Sequence, residues 1–469
     1  MNNMIIRRKD ILEQATNDSF SLDSFLAGFE AKTTVECNEP DIVTGDDVDE
    51  HTNTEAALAS VIDFNPFSNA VIASIDESEE DYSDFLSNSN KSYLLSLADA
   101  IANDTEFMGE VFGVGDDETG CYYAMMKNET FESHCQIPGF SKVGLIVNPA
   151  ILNAITQRRV MIEGYDFVGA YVDGQWMFYR CNEQLSYMTL SIFGLITNLF
   201  SRNTGLFESC EMLRKYAVII GAGSVGSLIA LQLARAGVKK FVLIDGDILK
   251  LHNVCRHQLG FRDLGRYKTS ALKDAILNIN PLADVMTFNG YLQDAPLSLF
   301  ELDTNGIIVG TADNRGGNAV ANDLADHLHI PFVATGCWTR AAAGEVFYWK
   351  PDSNLPTYRE AYADLISEER PDAHGNYFGD ENEEATLNFE PGTSVDIEFV
   401  TNIAIKVCLD LLNLNSKEYT PRVIDYLTNS TLVCNTNNPS IGGETVTMFP
   451  HPLFISHTIH MRKEDTSDG

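Results

Sequence analysis

Basic residues are scarce in this chain: 32 Lys and Arg stand against 67 Asp and Glu, a formal charge of -35 over 469 residues. So acidic a surface repels phosphate backbones and anionic lipid, which makes nucleic acid and membrane surfaces poor partners. No C-x-x-C pair occurs among the nine cysteines. Neither a zinc ribbon nor a disulfide framework is therefore expected, and the thiols read as reduced, cytoplasmic ones. A G-x-x-x-x-G-K-[ST] loop is also missing, which excludes the P-loop way of holding a triphosphate. No uncharged apolar run reaches the roughly 18 residues of a spanning helix. The start, MNNMIIRRKDILEQ, lacks the apolar core of a secretion signal. A soluble, cytoplasmic protein is expected.

The remaining pattern divides the chain. Residues 1–88, with EPDIVTGDDVDEHTNTE as their densest part, have the composition of a solvated, largely flexible acidic segment. Residues 89–195 read as an α+β domain, with SYLLSLADAIAN and PAILNAITQ helical and FMGEVFGVG, CYYAMM and KVGLIVN strand-like. DFVGAYV and QWMFYR flank Asp173-Gly174, the strongest hairpin signal in the chain. Gln184 to Phe200 is largely apolar and predicts a helix. Residues 196–414 alternate strands with helices, which predicts an α/β fold: a Rossmann-like, doubly wound, mostly parallel sheet covered on both faces. Within them, residues 351–390 predict a long irregular loop and Val395 to Leu412 a helix. Residues 415–469 hold two strand candidates, STLVCNT and MFPHPLFISHTIH, as a C-terminal extension.

The densest chemistry lies between Val218 and Lys268. A β-branched run, Val218 to Ile220, meets GAGSVG at Gly221 to Gly226, and Val225, Leu228, Ile229 and Leu233 then recur at helical spacing. Gly221, Gly223 and Gly226 permit a tight turn, and the helix end at Ser224 offers a phosphate unpaired N–H groups and a positive dipole end. A second strand, Phe241 to Ile244, ends at Asp245, where a carboxylate can reach ribose hydroxyls. The glycines alone fit an NAD-binding unit as well as an ATP site. The segment after Asp245 separates the two, because Asn253, Arg256 and Lys268 bring one amide and two cations to the cradle. Hydride transfer changes little charge on a pyrophosphate, whereas cleavage between α and β phosphates develops charge that fixed cations stabilise. Asp313, with Asn314 beside it in the nucleotide-binding set, ends a later strand near the switch-point crevice and is placed to hold Mg2+. Asp247 reads either as a further carboxylate of that site or as a solvated turn residue.

Together these residues, from about Arg202 to Leu412, resemble the adenylating domain of the ubiquitin-activating, MoeB and ThiF superfamily. The resemblance implies that Asp245 binds ribose, that Asn253, Arg256 and Lys268 contact the phosphates, and that Asp313 ligates Mg2+. It implies that Arg202, in SRNTG, acts as a finger reaching into the other subunit of a homodimer. The run NVCRHQLGFRDLGRYK, with His257 after the key arginine, looks most like the bacterial branch found beside ubiquitin-like proteins and in antiphage conjugation operons. The implied activity is ATP-dependent adenylation of the exposed C-terminus of a ubiquitin-like protein, for transfer to a conjugating-enzyme-like partner. Adenylation of a ribosomal peptide or small carboxylate is the alternative, and an NAD-dependent oxidoreductase a more distant one.

Two features depart from that family. Many relatives hold a structural zinc with two C-x-x-C pairs; here the stretch after Pro351 reads NLPTYREAY further on, so no zinc is expected. Relatives that form a thioester carry a cysteine in the loop before the late helix. None lies between Cys337 and Cys408, and the matching region reads ATLNFEPGTSVDI. Direct transfer from the adenylate is the preferred reading. Otherwise Cys337 and Cys255 are the candidate nucleophiles, against the competing reading of each as a small buried apolar side chain, and Thr393 or Ser394 could form an oxyester.

Overall fold

The computed structural model describes residues 5–7, 98–101, 108–116, 121–125, 142–158, 161–181, 186–192, 199–207, 209–281, 283–300, 305–338, 340–366, 391–416 and 419–458. Apart from residues 5–7, the acidic segment 1–88 lies outside the described residues, as does the part of the expected loop from 367 to 390. The chain divides into two compact units, the second holding residues 200–469.

In the first unit, β1 (Ile5–Arg7) precedes β2 (Met108–Asp116), β3 (Cys121–Met125) and β4 (Lys142–Val147). Helix α1 (Pro149–Arg158) leads to β5 (Met161–Glu163), β6 (Phe167–Val172), β7 (Gln175–Arg180) and β8 (Ser186–Ile192). β1 pairs in parallel with β5, and the other six strands close a barrel in the order β2-β3-β8-β7-β6-β4. Alternation along each strand divides the side chains between two cores. Ile146, Phe167, Phe178, Met188 and Val111 meet from five strands, while Leu145, Val147, Val168 and Ala170 pack with Ile151, Leu152 and Ile155 of α1. β6 and β7 turn at Asp173 and Gly174, whose φ angles of 49° and 82° suit a two-residue hairpin. The helix expected over Gln184 to Phe200 is corrected: Ser186–Ile192 is a strand. Its Met188, Leu190 and Ile192 alternate with Thr189 and Ser191, a period of two inside an apolar stretch, and Met188 is buried while Tyr187 is 65% exposed.

The second unit is built on one eight-stranded sheet. Its strands are β9 (Tyr216–Ile220), β10 (Lys240–Ile244), β11 (Asp284–Phe288), β12 (Gly306–Gly310), β13 (Phe332–Trp338), β14 (Ala343–Trp349), β15 (Ser430–Cys434) and β16 (Ile455–Thr458). The order is β11-β10-β9-β12-β13-β14-β15-β16; the first five are parallel and the last three antiparallel. Its long helices are α2 (Ser224–Ala236), α3 (Lys268–Ile279), α4 (Arg315–His327) and α5 (Ser394–Asn413). Strand alternation again sorts the core. Ala217 and Ile219 face a layer holding Leu228, Leu272 and Val400 of α2, α3 and α5, and Val218 and Ile220 face Ala321 and Leu324 of α4. Tyr358 and Tyr362, in the NLPTYREAY stretch, join the α4 layer. The chain leaves β9 on one side and returns to its other side at β12, so the crevice opens between the C-terminal ends of these two strands. Among the described residues no helix is long and apolar enough to cross a membrane.

Candidate active site

β9 delivers the chain to Gly221, where φ is 93° and a Cβ would lie 2.7 Å from the Thr311 carbonyl oxygen. At Gly226 a Cβ would run into the Gly221 carbonyl. Only glycine closes the turn at these two positions. Gly223 differs, since nothing lies within 4 Å of where its Cβ would stand. It is the N-cap of α2, and no side chain caps that end of the helix. The uncapped first turn beside open space is what an anion needs.

Three side chains hold the turn. The Thr311 hydroxyl, just past β12, bonds the carbonyls of Ile220 at 3.0 Å and Gly221 at 2.6 Å. Asp245, at the end of β10, accepts the Ala222 N–H on Oδ2 and the Asp247 N–H on Oδ1, both at 2.7 Å. Each oxygen keeps a further lone pair, so ribose hydroxyls remain within its capacity. Burial raises the Asp245 carboxyl above the usual range, and Lys268 counters by lowering it. His257 Nε2 lies 2.8 Å from the Ala222 carbonyl, while its Nδ1 accepts the Leu259 N–H at 3.1 Å. The second bond fixes the tautomer, with the proton on Nε2. Burial pushes this imidazole down to about 4, so it is neutral at pH 7.

The segment from Asp247 to Lys268 is a loop zipped at its ends. Lys268 N–H bonds the Asp247 carbonyl at 2.9 Å, Leu249 N–H that of Arg266 at 2.8 Å, and Gly265 N–H that of Leu249 at 2.9 Å. The zip returns Lys268 to the cradle across 21 positions, and its buried ammonium meets Asp247 Oδ2 at 2.8 Å. Inside the loop, Asn253 Oδ1 accepts the Lys250 N–H at 2.9 Å, and the Arg256 N–H bonds the Asn253 carbonyl at 3.0 Å. The charges of Lys268 and Arg256 add to burial in lowering the His257 imidazole. Asp313 is exposed two residues beyond Thr311, and Asn314 caps α4 by accepting the Gly317 N–H at 2.7 Å. The structure thus gives Asn314 a helix-capping task.

Arg202 is not brought to this cluster. Its neighbour Asn203 bonds the Arg235 carbonyl at 3.0 Å in the last turn of α2, the opposite end from the cradle. Cys337 ends β13 on the crevice side, but burial and Asp396 push its thiol up to about 12, with Arg256 pulling weakly the other way. Cys255 is exposed, its thiol 3.3 Å from the His252 carbonyl. Thr393 is the N-cap of α5, and Ser394 bonds Glu398 at 2.9 Å. Glu398 also takes the Gln258 amide at 2.9 Å, which ties the start of α5 to the Asp247–Lys268 loop. Sequence reasoning missed Thr311 and Gln258. A β-branched hydroxyl directly after a switch-point strand was the available signal for Thr311; the Gln258–Glu398 pair, 140 positions apart, had none.

The family that matches the chain is the ThiF family, over residues 200–421. Among curated proteins, the probable adenylyltransferase/sulfurtransferase MoeZ of Mycobacterium tuberculosis is 32% identical over 149 residues, 31% of this chain and 37% of that one. The ATP-dependent ubiquitin transferase-like protein Cap2 of Enterobacter hormaechei is 40% identical over 79 residues, 17% of this chain and 13% of that one. The chain spans less than half the length of the curated relatives it matches first. Among solved structures, E. coli MccB with MccA-N7isoASN aligns at a TM-score of 0.41 and 17% identity, over 58% of this chain and 74% of that one.

Proposed function

We propose, for a chain whose residues 200–421 are a domain of the ThiF family, that it uses ATP to adenylate the C-terminal carboxylate of a ubiquitin-like protein and hands the acyl group to a conjugating-enzyme-like partner. The observation that carries this reading is the uncapped α2 turn with Lys268 folded back beside the Asp245 carboxylate that holds it. The carboxylate attacks the α phosphate, a carboxyl O–P bond forms, and the bond from Pα to the β-phosphate oxygen breaks. Pyrophosphate leaves with the charge that Arg256 and Lys268 offset. A carboxylate is ionised at pH 7, so no general base is required, and a neutral, doubly hydrogen-bonded His257 is consistent with none.

Mg2+ fits the residues present. Asp313 is exposed at the strand end with no hydrogen-bond or ion-pair partner among the described residues, and Mg2+ commonly uses one or two carboxylates with phosphates and water. Asp313 would hold the ion, which supplies neutralisation of phosphate oxygens. Asp245 would take the ribose and Asn253 the phosphates. The place of Arg202 supports a homodimer: the 13 residues of α2 span roughly 20 Å, which keeps this arginine from its own cradle and leaves it for a second copy's.

The raised Cys337 thiol supports direct transfer from the adenylate, as do the Thr393 and Ser394 hydroxyls taken up at the start of α5. Likeness to a protein named ATP-dependent ubiquitin transferase-like favours a ubiquitin-like substrate. The test is isotope exchange between pyrophosphate and Mg-ATP with a Gly-terminated β-grasp protein, followed by mass spectrometry. Exchange that requires the protein is expected. NAD reduction without exchange would overturn adenylation, and a thiol-labile enzyme adduct would overturn direct transfer.

A further inference from the structure

The Ala222–Gly223 peptide lies at the centre of the cradle, and both sides of Ala222 are bonded. Its N–H goes to Asp245 and its carbonyl to His257. In a planar trans peptide the carbonyl of one residue and the N–H of the next point in opposite directions. With the Ala222 carbonyl turned inward to His257, the Gly223 N–H faces the other way, and open space lies beside Gly223. A glycine after Ala222 leaves this peptide free to rotate into either orientation. The rotated form would aim a carbonyl dipole at the bound anion.

We propose that His257 is a positioning residue that locks the Ala222–Gly223 peptide with its N–H aimed at the nucleotide phosphates. This rests on the adenylation reading for the identity of the anion. Two further observations support it. The Leu259 N–H on Nδ1 leaves Nε2 as the donor, so the ring carries the single tautomer that can hold a carbonyl. Burial keeps the ring uncharged, so the bond persists without adding a third cation beside Arg256 and Lys268. His257 also follows Arg256 directly in the chain, so the same bond ties the cationic loop to the glycine turn.

The experiment measures pyrophosphate exchange and ATP binding by calorimetry for the full chain and for H257A, H257F and H257Q. Glutamine keeps a donor at similar reach; alanine and phenylalanine do not, and phenylalanine fills the space should H257A fail to fold. H257A and H257F are expected to raise KM and Kd for ATP about tenfold, the size of one lost hydrogen bond, with kcat changed less than threefold. H257Q is expected to recover most of that affinity. Equal KM in all folded variants, or a loss in H257Q as large as in H257F, overturns the positioning role. If the unaltered chain neither binds ATP nor exchanges, the adenylation reading falls first, and the phosphate assigned to Gly223 falls with it.

Discussion

Replacing Lys268 by Met tests the charge logic of the cradle, because Met keeps much of the buried stem and removes the ammonium. The pair with Asp247 is short, at 2.8 Å, but the Asp247 side chain is 50% exposed against 10% for Lys268. At an effective dielectric near 20 a pair at about 4 Å is worth about 4 kcal/mol, and exposure of the carboxylate reduces the net to about 1 kcal/mol. Under the proposed adenylation, loss of a fixed charge beside the departing pyrophosphate costs more, about 3 to 4 kcal/mol, or roughly 10²- to 10³-fold in kcat. K268M should therefore unfold only slightly earlier than the unaltered chain and yet lose nearly all exchange.

Stability of the same variant should also depend on pH with a definite sign. Burial already raises the Asp245 carboxyl, and Lys268 lowers it; without the ammonium it goes higher. A carboxyl raised on folding disfavours the folded state once pH exceeds its unfolded value, about 3.9. The stability gap between K268M and the unaltered chain should thus be narrow near pH 4 and widen as pH rises above it. Pyrophosphate exchange and urea unfolding across that range read both effects. Exchange within threefold of the unaltered rate, or a gap that does not grow with pH, would refute the reasoning.

Mixing R202A with R256A should restore exchange to about a quarter of the unaltered level, because a mixed dimer assembles one complete site from the two chains; no recovery after subunit exchange counts against a trans role for Arg202. His257 is depressed to about 4, so the folded state disfavours its protonation. Its contribution is full above about pH 6.5 and falls by about 3 kcal/mol as pH drops to about 4. Urea unfolding of H257Q should lack that loss, and parallel pH profiles for the two chains would contradict it. Asp410, fully buried on α5, accepts the Val423 and Ile424 N–H groups at 2.7 and 2.9 Å and the Tyr419 hydroxyl at 2.5 Å. D410A should lower stability by about 3 kcal/mol or more, since several buried donors lose their acceptor together; a change under about 1 kcal/mol in urea unfolding would show the loop is held by other contacts.

Much of the second unit was legible in order along the chain, because helix and strand periods and glycine punctuation are local properties. GAGSVG announced its turn: the collision of a Cβ at Gly226 with Gly221 involves residues only five apart. Gln184 to Phe200 was misread for a local reason too, since an apolar stretch with a weak alternation fits either period until its partners are known. The pairing of β8 with β3 and β7 settles Ser186–Ile192 as a strand.

The sequence by itself determined which residue types the candidate site can draw on: the glycines, Asp245, Asn253, Arg256, Lys268 and Asp313 sit at fixed offsets from strand ends. Only tertiary structure decided what those residues do to one another. Thr311 reaches Gly221 from 90 positions away, His257 reaches Ala222 from 35, and the thiol of Cys337 is disfavoured as a nucleophile by burial and by Asp396. The reason is physical. Residue type and spacing fix chemical potential and local geometry, whereas hydrogen-bond partners and desolvation depend on which distant elements share the crevice.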